Sequence, residues 1–240
     1  MQLETKRLVG PLTTSLSVVN VAGVRLEVCD LAYSVTNAIV CDEIARDSYG
    51  LRNIDFEDGD VVIDIGAHVG LFSIYLAKRY PFLSIISVEP APWNFINLQR
   101  NLLLNHIDNV TPCNVAITSD ARRLRMCMTP CNTGGASGFM GTAAPAEHEW
   151  FWCRSTTLDA LFRDHEITLC KLLKIDCEGA EHEILKTASV LSGRIAYLSG
   201  EFHENVRLRA LGHTNESLIS FVHARMSAAN VCITQCEMSS

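Results

Sequence analysis

The chain has no Cys-x-x-Cys pair, no surplus of positive charge and no uninterrupted apolar run of about 18 residues, and each shortage removes a class of function. Its 20 Lys and Arg face 27 Asp and Glu, for a net charge of −7. Phosphate backbones need a basic field, so DNA and RNA are not expected as partners. Arg122, Arg123 and Arg125 form a small basic patch, read as a solvated strand or loop. Without a spanning segment, no membrane partner is expected. The ten cysteines are scattered. Cys127 and Cys131 lack a His or second Cys pair beside them, so zinc is not expected. Reduced core thiols in a cytoplasmic protein fit this usage. Residues 8–24 carry no charge, but Pro11, Thr13, Thr14, Ser15, Ser17 and Asn20 interrupt any signal-peptide core, so none is expected.

What is present centres on residues 59–70. Val61, Val62, Ile63 and Ile65 form an apolar run broken by Asp64, the pattern of a strand buried on both faces of a parallel sheet. Gly66 and Gly70 bracket a tight turn. Val69, Phe72, Ser73, Leu76, Ala77 and Tyr80 then fall at helical spacing up to Pro81. A glycine turn between strand and helix lets backbone N–H groups approach a nucleotide at the helix N-terminus.

Upstream, residues 17–28 alternate as a β-hairpin and residues 35–48 read as a helix. This extension, residues 1–50, either covers the ligand cleft or packs on one sheet face; residues 51–240 form the main domain. Downstream, strands are expected at 84–88, 110–117, 171–176, 195–202 and 230–235, with helices from Pro92, from Thr156-Thr157-Leu158-Asp159, one with Glu181 and Glu183 in its first turn, and one over 214–226. Residues 123–128 and 150–152 read as strands around a Gly- and Pro-rich loop at 129–149, a candidate substrate lid. Alternating strands and helices predict an α/β fold with a doubly wound, mostly parallel sheet. Its ligand should sit at the strands' carboxyl ends, near Gly66, Glu89, Asn114, Asp176 and His203.

A dinucleotide turn needs GxGxxG, and here His68 replaces the middle glycine and hinders a pyrophosphate. Glu89 closes the next strand, where a carboxylate accepts from ribose hydroxyls. Together they point to an adenosine compound without a diphosphate, and S-adenosylmethionine fits. His68 itself reads as a helix-start residue, and Trp93 is placed to stack near adenine or to join the core.

Val-Ile-Asp-Ile-Gly-Ala-His-Val-Gly (62–70), Val-Glu-Pro (88–90), Gly134-Gly135-Ala136-Ser137, Thr-Leu-Asp (157–159), Lys-Ile-Asp-Cys-Glu-Gly-Ala-Glu (174–181) and Glu201-Phe202-His203 resemble the motifs of FkbM-type methyltransferases. The resemblance spans roughly residues 40–205, and the 174–181 stretch is its most specific part. It implies a class I, Rossmann-like fold, S-adenosylmethionine as cofactor and S-adenosylhomocysteine as product, and methylation of a hydroxyl oxygen in secondary metabolism. By position it places Asp64, Gly66, Ala67, His68 and Gly70 around the methionine part, Glu89 at the ribose, Asn114 and Ala116 near adenine, and Asp176 beside the methyl. The fold's antiparallel seventh strand is missing here or supplied differently.

An alcohol needs a base or a metal before it can attack. His203 is the first candidate base, with Asp176 as its catalytic partner and Glu178 and Glu201 as substrate-binding residues. Alternatively Asp176, Glu178, Glu201 and His203 converge on a divalent cation, since oxygen-rich sites suit magnesium or calcium. A small hydroxylated metabolite or glycoside is the expected substrate, and a homodimer the oligomer considered. The rival readings are a scaffold that has lost its chemistry and a nicotinamide dehydrogenase.

Overall fold

A computed structural model describes residues 13–238, apart from 33, 130, 131 and 138–148. Strands β1 (Thr14–Val21) and β2 (Val24–Leu31) form an antiparallel hairpin. Ala22 and Gly23 close it, both at positive φ (47° and 85°), as a two-residue turn with the strands' own twist requires. Helix α1 (Thr36–Arg46) follows. The outer edge of β2 is not left open. Asn101 accepts from Cys29 N (2.7 Å) and donates to Cys29 O (3.0 Å), while Asn105 does the same for Glu27 (3.0 and 2.6 Å). Two side-chain amides thus stand in for a neighbouring strand.

The main chain then runs β3 (Val61–Ile65), α2 (Leu71–Arg79), β4 (Ser84–Val88), α3 (Pro92–Leu104) and β5 (Val110–Cys113). The expected 110–117 strand is corrected here: it stops at Cys113, and Ala116–Ile117 form a separate short strand, β6. Asn114 turns away from the ladder because its amide donates to Glu89 O (2.8 Å) and Pro90 O (3.3 Å).

An inserted antiparallel sheet comes next: β7 (Leu124–Thr129), β8 (Asn132–Ser137) and β9 (Glu149–Cys153), in the order β8-β7-β9. The expected 129–149 loop is therefore strand at Thr129, over 132–137 and at Glu149; its remaining residues, 130, 131 and 138–148, lie outside the described ones. The chain returns through β10 (Ser155–Thr156), α4 (Leu158–Asp164), β11 (Cys170–Ile175), α5 (Glu181–Thr187) and β12 (Ile195–Glu204). It ends with α6 (Val206–Ala210), α7 (Asn215–His223) and β13 (Val231–Glu237).

The six-stranded sheet is parallel throughout, in the order β13-β12-β11-β3-β4-β5. Alternate residues of one strand feed opposite layers. Val62 and Ile85 pack with α2 and α3, whereas Ile63, Ile65 and Ile86 pack with α4, α5 and α7. This is the doubly wound architecture. β13 pairs directly with β12, from Leu198↔Val231 to Glu204↔Glu237, so no antiparallel strand intervenes. The strand order reverses between β3 and β11, which opens a crevice at their carboxyl ends. No helix among the described residues is long and apolar enough to cross a membrane. The nine described cysteines carry no disulfide.

Candidate cofactor and acceptor site

The crevice begins at the turn after β3. Gly66 (φ 81°) donates from its N to Val88 O, as does Ala67 (both 3.0 Å), which folds the turn over the end of β4. A Cβ on Gly66 would stand 1.8 Å from Asp176 O, so β3 and β11 meet there backbone to backbone and only glycine fits. His68 (φ 53°) follows, and its N donates to Glu89 Oε2 (2.8 Å).

A cavity of about 280 Å³ occupies this point. Gly66, Ala67, His68, Glu89, Ala116 and Asp176 all line it. The expected cofactor contacts Asp64, Gly70 and Asn114 do not. Asp64 lies under the floor, fully buried, accepting from Ser73 Oγ (2.7 Å) and facing Lys174 Nζ (3.2 Å). Gly70 caps α2, and a Cβ there would meet Leu98 at 2.3 Å. Asn114 braces the Glu89 backbone from behind. Trp93 joins the core, edge-on to Phe151 (5.4 Å between centroids).

Glu89 is buried. Its Oε1 accepts from Ala91 N (2.8 Å) and Asn94 Nδ2 (3.4 Å), leaving one acceptor site free on Oε2. Burial pushes its carboxyl up to about 7, against the pull of the two backbone N–H groups. Burial and Lys174 together hold His68 down at about 3, so its ring is neutral. Lys174 is buried yet charged: burial alone would lower it, but Asp64 and Asp176 (3.6 Å) outweigh that, and its Nζ donates to Gly66 O (3.0 Å).

The roof comes from elsewhere in the chain. α1 contributes Thr36 and Val40, β7 Leu124 and Met126, and β8 Gly134. Gly134 N donates to Thr36 Oγ1 (3.2 Å), joining the two excursions over the cavity. The N-terminal helix thus covers the cleft, while β2 packs against α2 and α3. Arg122 is exposed in a loop, as expected, and also reaches the cavity rim beside Glu183, to which it makes two bonds (2.8 and 2.7 Å). Arg123 and Arg125 do face outward, stacked on Trp152 and Trp150. Tyr49 and Arg207 complete the wall.

His203, Glu178 and Glu201 sit behind Asp176 rather than in the cavity lining. His203 is buried, its Nδ1 3.1 Å from Glu181 Oε1. Its Nε2 faces Glu201 Oε2 (3.4 Å), Asp176 Oδ1 (3.9 Å) and Glu178 Oε2 (4.0 Å). Burial would lower its pKa, but bonds to Glu181 and Glu201 and the charge of Asp176 push it up to about 12. The surrounding carboxylates thus favour the protonated ring. A protonated ring has no lone pair with which to take a proton, and His203 stands behind Asp176 outside the cavity lining, so the geometry lends its expected role as base no support. Burial raises Asp176, and raises Glu178 to about 7.

Asp176, Glu178 and His203 present ligand atoms within 4.8 Å of one another, as do Glu201, His203 and Cys236. Both sets share His203, whose charge already balances the carboxylates.

Fold and site together define a Rossmann-like domain with a ligand cavity at the switch point. Residues 64–224 match the model of the methyltransferase FkbM domain, and the chain belongs to that family. Methyltransferase 1 of Beauveria bassiana is 24% identical over 147 residues, 55% of this chain and 59% of that protein. Methyltransferase sdnD of Sordaria araneosa is 30% identical over 157 residues, 52% of this chain and 59% of that protein. The 31-O-demethyl-FK506 methyltransferase FkbM of Streptomyces tacrolimicus is 32% identical over 84 residues, 34% of this chain and 32% of that protein. The matches to the first two span 59% of their length. Among solved structures, the N-terminal domain of human METTL16 with SAH overlaps at a TM-score of 0.39 and 18% identity, over 78% of this chain and 60% of that one.

Proposed function

We propose that this domain binds S-adenosylmethionine and transfers its methyl group to a hydroxyl oxygen of a small metabolite or glycoside. One observation carries the reading: a single cavity at the switch point has Glu89 on one wall and Asp176 on another, with His68 where a diphosphate would need glycine. Glu89 takes a ribose hydroxyl. Val88, Pro90, Val115, Ala116 and Ile117 form an apolar slot suited to adenine. Asp176 stands at the methyl.

The sulfonium is already a good leaving group, so the protein's main task is placement. The acceptor oxygen forms its bond to carbon as the sulfur–carbon bond breaks, leaving the neutral thioether. The hydroxyl proton passes to a carboxylate at Asp176, with Glu178 behind it. Carboxyls raised by burial are better bases than exposed ones. His203 and Lys174 keep this acidic wall from repelling itself and need no divalent cation to do so. The name of the Streptomyces relative refers to methylation at oxygen, which supports an oxygen acceptor here. The cavity's enclosure by Thr36 and Gly134 favours a small substrate over nucleic acid.

The test is transfer of labelled methyl from S-adenosylmethionine to a panel of hydroxylated metabolites and glycosides. The wild type should label at least one, and Asp176→Asn should abolish labelling while still binding S-adenosylhomocysteine. Labelling only of amine acceptors would overturn the oxygen assignment.

A further inference from the structure

We propose that Glu181 and His203 form one positioning unit that sets Asp176, with Glu178 behind it, at the acceptor end of the cavity. The inference rests on the methyl-transfer reading above and goes beyond it, because neither Glu181 nor His203 lines the cavity.

Glu181 opens α5, where a carboxylate normally sits exposed against the helix dipole. Here it is fully buried and makes three directed bonds. Oε1 accepts from Cys177 N (2.7 Å) and lies 3.1 Å from His203 Nδ1; Oε2 accepts from Gly179 N (2.9 Å). One carboxylate therefore clamps the turn from Asp176 to Gly179 along its length. That turn needs a clamp, because Glu178 sits in the left-handed region (φ 53°) with Gly179 after it (φ 102°). Asp176 N is tied to Ile65 O (3.0 Å), so the turn is fixed to the sheet at one end and to Glu181 at the other.

His203 brings the second anchor from β12. With Nδ1 held by Glu181, its ring plane is set and Nε2 points among Asp176, Glu178 and Glu201. Charged groups of several elements among the described residues face this unit. Glu201 is backed by Cys236 of β13 (3.2 Å) and by Glu43 of α1. Lys174 of β11 faces Asp176 (3.6 Å), and His182 of α5 bonds His203 O (3.0 Å). Of these acidic groups, Asp176 reaches the cavity wall, so displacing the unit displaces the group that meets the acceptor.

The test uses Glu181→Gln, His203→Asn and the double variant of the full chain. The amide of Gln keeps one acceptor but turns a donor toward the turn or the ring. The unit predicts that kcat falls about 100-fold in each single variant, the scale of a small misplacement of a reacting group. It also predicts a Kd for S-adenosylhomocysteine within about threefold of wild type, since the ribose and adenine walls are untouched. The double variant should be no slower than the slower single, because both act through one element. Undiminished kcat, or losses that multiply, would overturn the unit. Should Glu181→Gln fail to fold, ¹⁵N shifts of the wild-type His203 ring decide. A protonated, hydrogen-bonded Nδ1 at pH 8 supports the unit, and an unprotonated Nδ1 overturns it. If the wild type itself bound no S-adenosylhomocysteine, the methyl-transfer reading would fall, while the ring shifts would still report on the unit.

Discussion

Lys174 Nζ stands 3.2 Å from Asp64 Oδ1, so a buried ion pair joins the two central strands, β11 and β3, directly beneath the cavity floor. Asp64 is completely buried and Lys174 nearly so, and the same Nζ holds Gly66 O at 3.0 Å. Removing one partner of such a pair leaves an uncompensated buried charge. Lys174→Met should therefore lose about 3–5 kcal/mol in urea unfolding. Adding Asp64→Asn should restore a large part of that loss, because the orphaned charge goes with it.

Gly66→Ala is expected to fail for a different reason. The new Cβ would stand 1.8 Å from the backbone oxygen of Asp176, which no side-chain rearrangement relieves. The left-handed conformation adds about 1–2 kcal/mol by itself. We expect a drop in thermal midpoint together with loss of S-adenosylhomocysteine binding. Gly23→Ala serves as the control: it too has positive φ, but no atom lies within 4 Å of its added Cβ, so binding should persist.

Glu89 links pH to both stability and binding. Its folded pKa is raised from 4.5 to about 7. Between those values the folded chain holds a proton that the unfolded chain has released. Its contribution to stability is therefore fullest below pH 4.5 and is lost as pH rises through 7. Comparing unfolding of wild type and Glu89→Gln from pH 5 to 8 should show the wild type losing ground across that window. Affinity for S-adenosylhomocysteine should rise over the same range as the carboxylate ionises. In Glu89→Gln it should be flat and about tenfold weaker, the scale of one charged hydrogen bond.

His203 carries the same sign with a wider window. Its pKa is raised from 6.5 to about 12, so its stabilising contribution is complete below 6.5 and disappears as pH climbs through 12. His203→Gln should cost about 3 kcal/mol at pH 7 by uncovering buried carboxylates. The gap between variant and wild type should narrow at pH 10. A gap that widens with pH would contradict the imidazolium.

The central strands were legible because their apolar runs are buried on both faces. Ser84–Val88 matches the sequence expectation residue for residue, and the Gly66 turn lies where its spacing put it. Asn114 misled because it sits between Val110–Cys113 and Ala116–Ile117, and no local pattern reveals an amide turned back onto Glu89. Strand β8 was hidden by its glycines, since its pairing with β7 is non-local and outweighs propensity. Lys174 could have been found, as a lone charge in the run Leu172–Ile175 calls for a buried partner. The charge state of His203 could not, because it sums carboxylates from the turn after β11, from α5 and from β12. Thr36, Leu124, Met126 and Gly134 reach the cavity through two separate excursions with no shared period.

Calorimetric titration of the full chain with S-adenosylhomocysteine, with NAD as the comparison ligand, tests the central claim most directly. We expect one site of micromolar affinity for S-adenosylhomocysteine, an order of magnitude suited to a largely pre-formed cavity, and no heat from NAD. Binding of NAD, or no binding of S-adenosylhomocysteine, would contradict the account.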